Sequence, residues 1–230
     1  MNSFLLRRLA PFYAITLLIE FLTFGILLLA MREYVDWSFL PMVKTVGILL
    51  KTTTISFLFV MLPYVAYLLF LPADKINSRL DKIITGGGFA FFVFANLFEE
   101  TMSLVFWNKF SAAFNILAVE YLIDMREVAD DIAQNYLFAG YIVSLLLISY
   151  LIVRRCRQYL FTSLPAPHWF KRLIYTLIYL SFCGLIYVNL NERELEIKEN
   201  YFNNELSKDS TYSLARSLWK SGISYQDLKF

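Results

Sequence analysis

Three carboxyls mark where chemistry in this chain would have to start: Glu20, inside an apolar run, and the adjacent Glu99 and Glu100 near the end of another. A carboxyl surrounded by hydrocarbon is costly unless it is protonated, hydrogen-bonded or paired with a cation. Two readings stand for Glu20: a proton or ligand site, and a structural carboxyl held neutral or hydrogen-bonded inside a bundle. No basic residue lies clearly at matching depth, which favours the second. Glu99 and Glu100 could bind a cation or the amine of a lipid headgroup, or simply meet water. Other reactive residues are sparse. His168 is the only histidine and stands among Pro165, Pro167 and Trp169, so it makes neither a catalytic pair nor a metal site within the chain. Cys156 lies among arginines and Cys183 inside an apolar run, a usage that points to neither a disulfide nor a metal. Gly86, Gly87 and Gly88 are not followed by Lys-Ser or Lys-Thr, so close helix packing is expected there rather than a phosphate cradle. No catalytic, cofactor-binding or metal-binding residue is expected in this chain.

The elements that must position these carboxyls are membrane spans. The chain of 230 residues is 58% hydrophobic and 17% charged, against about 45–50% and about 25% in soluble domains. Its apolar residues fall in blocks near the length of about 20 residues that a helix needs to cross a bilayer. The expected fold is all-α: a polytopic membrane protein with five transmembrane helices over 9–31, 44–71, 83–106, 136–153 and 173–190. Residues 1–190 form the membrane domain. Arg7 and Arg8 precede the first span, but its length, the lack of a small-residue cleavage site and the spans that follow mark it as an anchor. Pro63 should kink the second span, and Lys51 should snorkel to the outer interface.

The stretch 107–135 differs from these blocks. Phe110, Phe114, Leu117, Tyr121, Met125, Val128 and Ile132 recur at spacings of three and four, while Asn115, Glu120, Asp124, Glu127, Asp130 and Asp131 interrupt the run. That pattern predicts an amphipathic helix at the membrane surface between spans three and four. Basic residues fix the orientation. Arg7, Arg8, Lys75, Arg79, Lys82, Arg154, Arg155, Arg157, Lys171 and Arg172 share one side if five spans are right, whereas 107–135 holds only Lys109 and Arg126. The first side is cytoplasmic, which puts the N-terminus inside and the surface helix and C-terminus outside. The expected location is a bacterial cytoplasmic membrane. Residues 191–230 change character: Glu192, Arg193, Glu194, Glu196, Lys198 and Glu199 suggest a solvated helical extension of the fifth span. Tyr212, Ala215 and Trp219 follow on one stripe, with Gly222 as a stop. So short a segment is expected to be a linker that docks on something rather than a core of its own.

Two stretches carry a family resemblance. Trp107-Asn108-Lys109-Phe110, Phe114-Asn115-Ile116, the run from Ala118 through Val119, Glu120, Tyr121 and Leu122 to Ile123, Glu127-Val128 and Asn135-Tyr136 resemble the extracytoplasmic helix of the lipoteichoic acid synthase-like phosphoglycerol transferases. A similar phrase in that family, Phe-Asn-Phe-Ile-Ala-Val-Asp-Tyr-Leu, lies between the third and fourth of five spans. Asn204-Glu205-Leu206-Ser207, Tyr212-Ser213 and Ser224-Tyr225-Gln226-Asp227 are similar to its juncture between the fifth span and a sulfatase-type catalytic domain. Glu120 replaces the usual aspartate, and Lys109 and Ala113 stand at polar or acidic and arginine positions. The headgroup preference therefore stays open.

The resemblance implies transfer of a phosphoglycerol headgroup from a phosphatidylglycerol-like phospholipid to an extracytoplasmic glycan or glycolipid. The catalytic threonine and a Mn or other divalent metal would belong to a domain beyond this segment, on the same chain or a separate one, and 191–230 would be the extracytoplasmic linker to it. This chain would be the anchor and substrate-side platform. Trp107, Asn108, Lys109 and Asn115 are the candidate lipid headgroup contacts; the other reading is that they cap or solvate the helix. A stand-alone lipid-binding or regulatory membrane protein without catalysis is the alternative, and transport is a weaker third, because there is no internal repeat. No nucleic-acid partner is expected, and the oligomeric state is not legible.

Overall fold

The computed structural model describes residues 4–115, 117–118, 136–161, 167–188 and 192–221, with the side chains at 136–139, 192–193 and 220–221 excepted. Eight helices lie in this part: α1 (Phe4–Ala30), α2 (Phe39–Val60), α3 (Leu62–Phe70), α4 (Arg79–Phe110), α5 (Tyr136–Leu160), α6 (Trp169–Val188), α7 (Tyr201–Leu206) and α8 (Ser210–Ser221). Short 3-10 turns occur at Ala73–Lys75 and Glu192–Leu195, and no strand occurs among the described residues. A chain this apolar favours helices, since in lipid each backbone N–H must find its acceptor within its own segment. By length and composition α1, α2, α4 and α6 can each cross a membrane. Their outward faces carry exposed Leu18, Leu22, Ile26, Phe91, Leu177 and Leu185, as a helix meeting acyl chains requires.

The expected second span is two helices. Pro63 has no N–H to give to a carbonyl one turn back, so α2 stops at Val60 and α3 restarts at Leu62 with the proline in its first turn. The third element is longer than 83–106. Ser78 caps α4 by accepting the Asp81 N–H at 3.3 Å. The helix then runs 32 residues, about 48 Å at about 1.5 Å per residue, and outreaches a hydrocarbon core of about 30 Å. It ends where Ser111 turns into the left-handed region at φ 51°. Trp107, Asn108, Lys109 and Phe110 are therefore the last turn of α4, which corrects their assignment to the surface helix. Residues 116 and 119–135, most of that helix, lie outside the described residues. Lys171 and Arg172 fall inside α6 rather than ahead of it.

Two ends of the bundle can be told apart. At the near end, where α1, α4 and α6 begin, Arg8 and Asp81 form a buried ion pair at 2.6 Å. Asp81 also accepts from the Asn77 N–H at 2.8 Å, Tyr67 Oη at 3.1 Å and Thr85 Oγ1 at 3.2 Å. Arg172 donates to the carbonyls of Leu68, at 3.1 Å, and Leu71, satisfying acceptors that the end of α3 leaves open. The mid-bundle core is aromatic: Phe12 meets Phe89 edge-on at 4.9 Å and lies 5.0 Å from Tyr64 and 5.4 Å from Phe92. At the far end Phe24, Leu27, Val35, Leu49, Trp107 and Leu206 form a second buried cluster.

Leu206 belongs to the tail, and the tail is not a solvated extension of the last span. After α6 ends at Val188, the turn at Glu192–Leu195 buries Leu195, and Ile197 follows it into the interior. α7 and α8 then fold back over α1, α2 and α4. Of the expected stripe only Tyr212 is buried; Ala215 and Trp219 face outward, and Gly222 is outside the described residues. Lys51 pairs with Glu194 at 3.4 Å, so the outer part of α2 lies against the tail. The glycine patch packs less closely than expected. A Cβ on Gly86 would lie 3.1 Å from the ring of Phe161, while those on Gly87 and Gly88 would meet open space.

Candidate functional site

A cavity of about 340 Å³ opens between α1, α2, α4 and the start of α8. Phe12, Phe57 and Phe92 contribute its apolar wall; Glu20, Glu99, Glu100 and Asp209 contribute four carboxyls. Glu20 comes from α1, Glu99 and Glu100 from α4, and Asp209 from the turn between α7 and α8. Among the described residues no basic side chain lines the cavity. Hydrogen bonds take the place of counter-ions. The Glu20 carboxyl lies close to those of Glu100 and Asp209. Thr211 Oγ1 donates to Glu99 at 2.7 Å. Ser56 Oγ donates to Asp209, whose same oxygen takes the Tyr212 N–H at 2.7 Å.

Like charges gathered in a buried site repel one another, so full ionisation of all four carboxyls is costly. Burial pushes the Asp209 carboxyl above the usual range, against the opposing pull of the Ser56 hydroxyl and the Tyr212 N–H. Glu100 is 7% exposed, and its Oε2 has no hydrogen-bond partner among the described residues. Among the described residues no group of three His, Cys, Asp or Glu is arranged to hold a metal ion.

The tail that closes the cavity is held by further buried polar groups. Asn203, with no exposed surface, accepts the Asp36 N–H at 2.8 Å and donates to the Asp36 carbonyl at 3.1 Å and to Thr45 Oγ1 at 3.1 Å. Glu205 accepts the Ala113 N–H at 3.1 Å and pairs with Lys208. Thr52 Oγ1 accepts the Asp209 N–H at 3.3 Å. Two exposed pairs, Lys44 with Glu199 at 3.5 Å and Lys51 with Glu194, border the same face.

Of the residues singled out in the sequence, Glu20, Glu99 and Glu100 meet in the cavity, though Glu20 is far from the other two along the chain. The proposed headgroup residues do not join them. Trp107 is 2% exposed, packed among Phe24, Leu27 and Leu206, because the returning tail covers the end of α4; it cannot reach a headgroup. Asn108 and Lys109 are exposed on the last turn. Asn115 uses its side-chain oxygen to accept the Leu117 N–H at 2.9 Å, a capping role. Lone His168 is exposed at the start of α6.

Sequence reasoning missed Asp209 and Asn203, and it quoted Glu205 only within the resemblance. Asp209 had a local signal: it stands one residue before α8 and accepts the N–H three residues on, as an N-cap does. Nothing local marked the cavity that its carboxyl enters. No protein family, curated protein or solved structure matches this chain.

Proposed function

We propose that this chain is the membrane platform of a phospholipid headgroup transferase, resembling the lipoteichoic acid synthase-like phosphoglycerol transferases. Transfer would run from a phosphatidylglycerol-like lipid to an extracytoplasmic glycan or glycolipid. The observation that carries the reading is the docked tail. Asn203, Glu205 and Asp209 fasten α7 and α8 to the far end of the bundle, so a domain that follows would leave from a fixed position at headgroup level. The resemblance falls on the same segment: Asn204 to Ser207 and Tyr212-Ser213 are part of the docked tail. Five spans, with α5 as the fourth, make the near end, rich in arginine and lysine, cytoplasmic and the docked tail extracytoplasmic.

The platform does no bond chemistry itself. The catalytic domain, with its threonine and its Mn or similar metal, would stand above the tail, and the bundle would hold it at the bilayer surface. Exposed Asn108 and Lys109 remain candidate phosphate or glycerol contacts beside it; Trp107 does not. The test uses the native protein in its own membranes. Immunoblotting with an antibody against the tail should show a species tens of kilodaltons heavier, or a co-purifying partner. Adding labelled phosphatidylglycerol should release diacylglycerol. A species at the 26.9 kDa of this chain, with no partner and no diacylglycerol formed, contradicts the reading and favours a stand-alone lipid-binding or regulatory protein.

A further inference from the structure

A second cavity, of about 590 Å³, lies between α1 and α5, lined by Arg7, Ala10, Pro11, Ala14, Ile15, Leu18, Cys156 and Tyr159. Its floor is made by the small side chains of α1 at 10, 11 and 14, which leave a groove open to the side of the bundle. The run from Arg7 to Leu18 rises about 16 Å at about 1.5 Å per residue. That is one leaflet of a hydrocarbon core of about 30 Å. The groove is apolar along its length and cationic at one end only.

The cations at that end are uncommitted. Arg8 is used by Asp81 and Arg172 by the α3 carbonyls. Exposed Arg7, Arg154, Arg155 and Arg157 have no side-chain partner among the described residues. Arg155 adjoins Cys156 and lies about 40° around α5 from Tyr159, four residues on. It therefore stands at the edge of the groove, on the side of the neighbouring opening that it lines. A further opening of about 640 Å³, bounded by Arg154, Arg155, Arg157 and Gln158, continues the basic surface around α5. Unpaired guanidinium groups over a one-leaflet apolar groove match one class of ligand. Its head must be anionic and its tail an acyl chain, and guanidinium forks bind phosphate oxygens in pairs.

We infer that the α1–α5 groove binds an anionic diacyl phospholipid of the leaflet at the near end, an acyl chain lying along residues 10–18 and the phosphate between Arg7 and Arg155. This lipid is a fixed ligand on the opposite side of the membrane from the proposed headgroup transfer, and the inference does not depend on that transfer. It gives α5, which touches α1 and α4, a third attachment to the bundle.

The experiment is native mass spectrometry of the full chain after equilibration with nanodiscs of mixed phosphatidylglycerol and phosphatidylcholine. Phosphatidylglycerol should be retained over phosphatidylcholine. The double variant Arg7→Gln/Arg155→Gln should lose retention about thirtyfold, each arginine near the surface counting for about fivefold. Lys44→Gln, at the far end, should retain it fully. Ala14→Phe keeps both arginines and fills the groove, so it should lose the lipid too, and it decides the matter should the double variant fail to fold. Equal retention of the two lipids, full retention by either groove variant, or equal loss in Lys44→Gln overturns the inference.

Discussion

The near and far ends of this bundle solve the same problem, buried charge, in opposite ways. At the near end a carboxylate meets a guanidinium: Asp81 is paired with Arg8 and given three further donors. At the far end four carboxyls share a cavity with no basic side chain among the described residues. They are met instead by hydroxyl donors, Ser56 on Asp209 and Thr211, which arrives with the tail, on Glu99. The first arrangement belongs to the helices themselves and acts as a fixed brace. The second is completed only when a segment close to two hundred residues along the chain returns to it, so it is conditional on docking and on pH.

The sharpest way to break the contrast is at the brace. Arg8→Ala leaves Asp81 buried and uncompensated, which should cost about 3–5 kcal/mol, read as a large fall in the unfolding midpoint in detergent. The same variant should leave the protection of the tail unchanged until the bundle itself melts. Asn203→Ala should do the reverse. It strands the Asp36 N–H and carbonyl beneath the tail, a loss of about 1–3 kcal/mol confined to docking. Hydrogen exchange should quicken over 201–218 while α1 and α4 stay protected.

The pH dependence separates the ends further. Burial raises the Asp209 carboxyl, so the docked state binds a proton more tightly than the released tail does. The resulting stabilisation is fully present below the ordinary carboxylate range and is lost as pH rises through the raised value. Tail protection should therefore weaken from acid towards alkaline pH, and Asp209→Asn should flatten the profile. The smallest effect is expected at Lys51 with Glu194, both about half exposed. Lys51→Gln should change docking within experimental error at physiological salt.

What could be read in advance divides along similar lines. Helices and the break at Pro63 were legible because they follow from local apolar runs and one missing N–H. Glu20, Glu99 and Glu100 stood out because carboxyls in apolar surroundings are expensive wherever the chain puts them. That the tail docks was legible from its shortness, but not where it docks or through which residues. Asn203 and Glu205 lie in a polar stretch whose composition equally suits a solvated linker, and only the backbone of Asp36 and Ala113 makes them interior residues. Trp107 misled for the same reason: an aromatic at the end of an apolar run looks interfacial until Leu206 covers it. The glycines misled differently, since small residues permit a close approach without requiring one, and only Gly86 has a near neighbour.

Hydrogen exchange of the native protein in its own membranes, followed over residues 201–218, tests the docked platform most directly. The account predicts protection comparable to that of α2, slowest at Asn203 to Asp209 and diminishing with rising pH. Exchange at the rate of an unstructured chain throughout that segment, at acid as well as neutral pH, would contradict it.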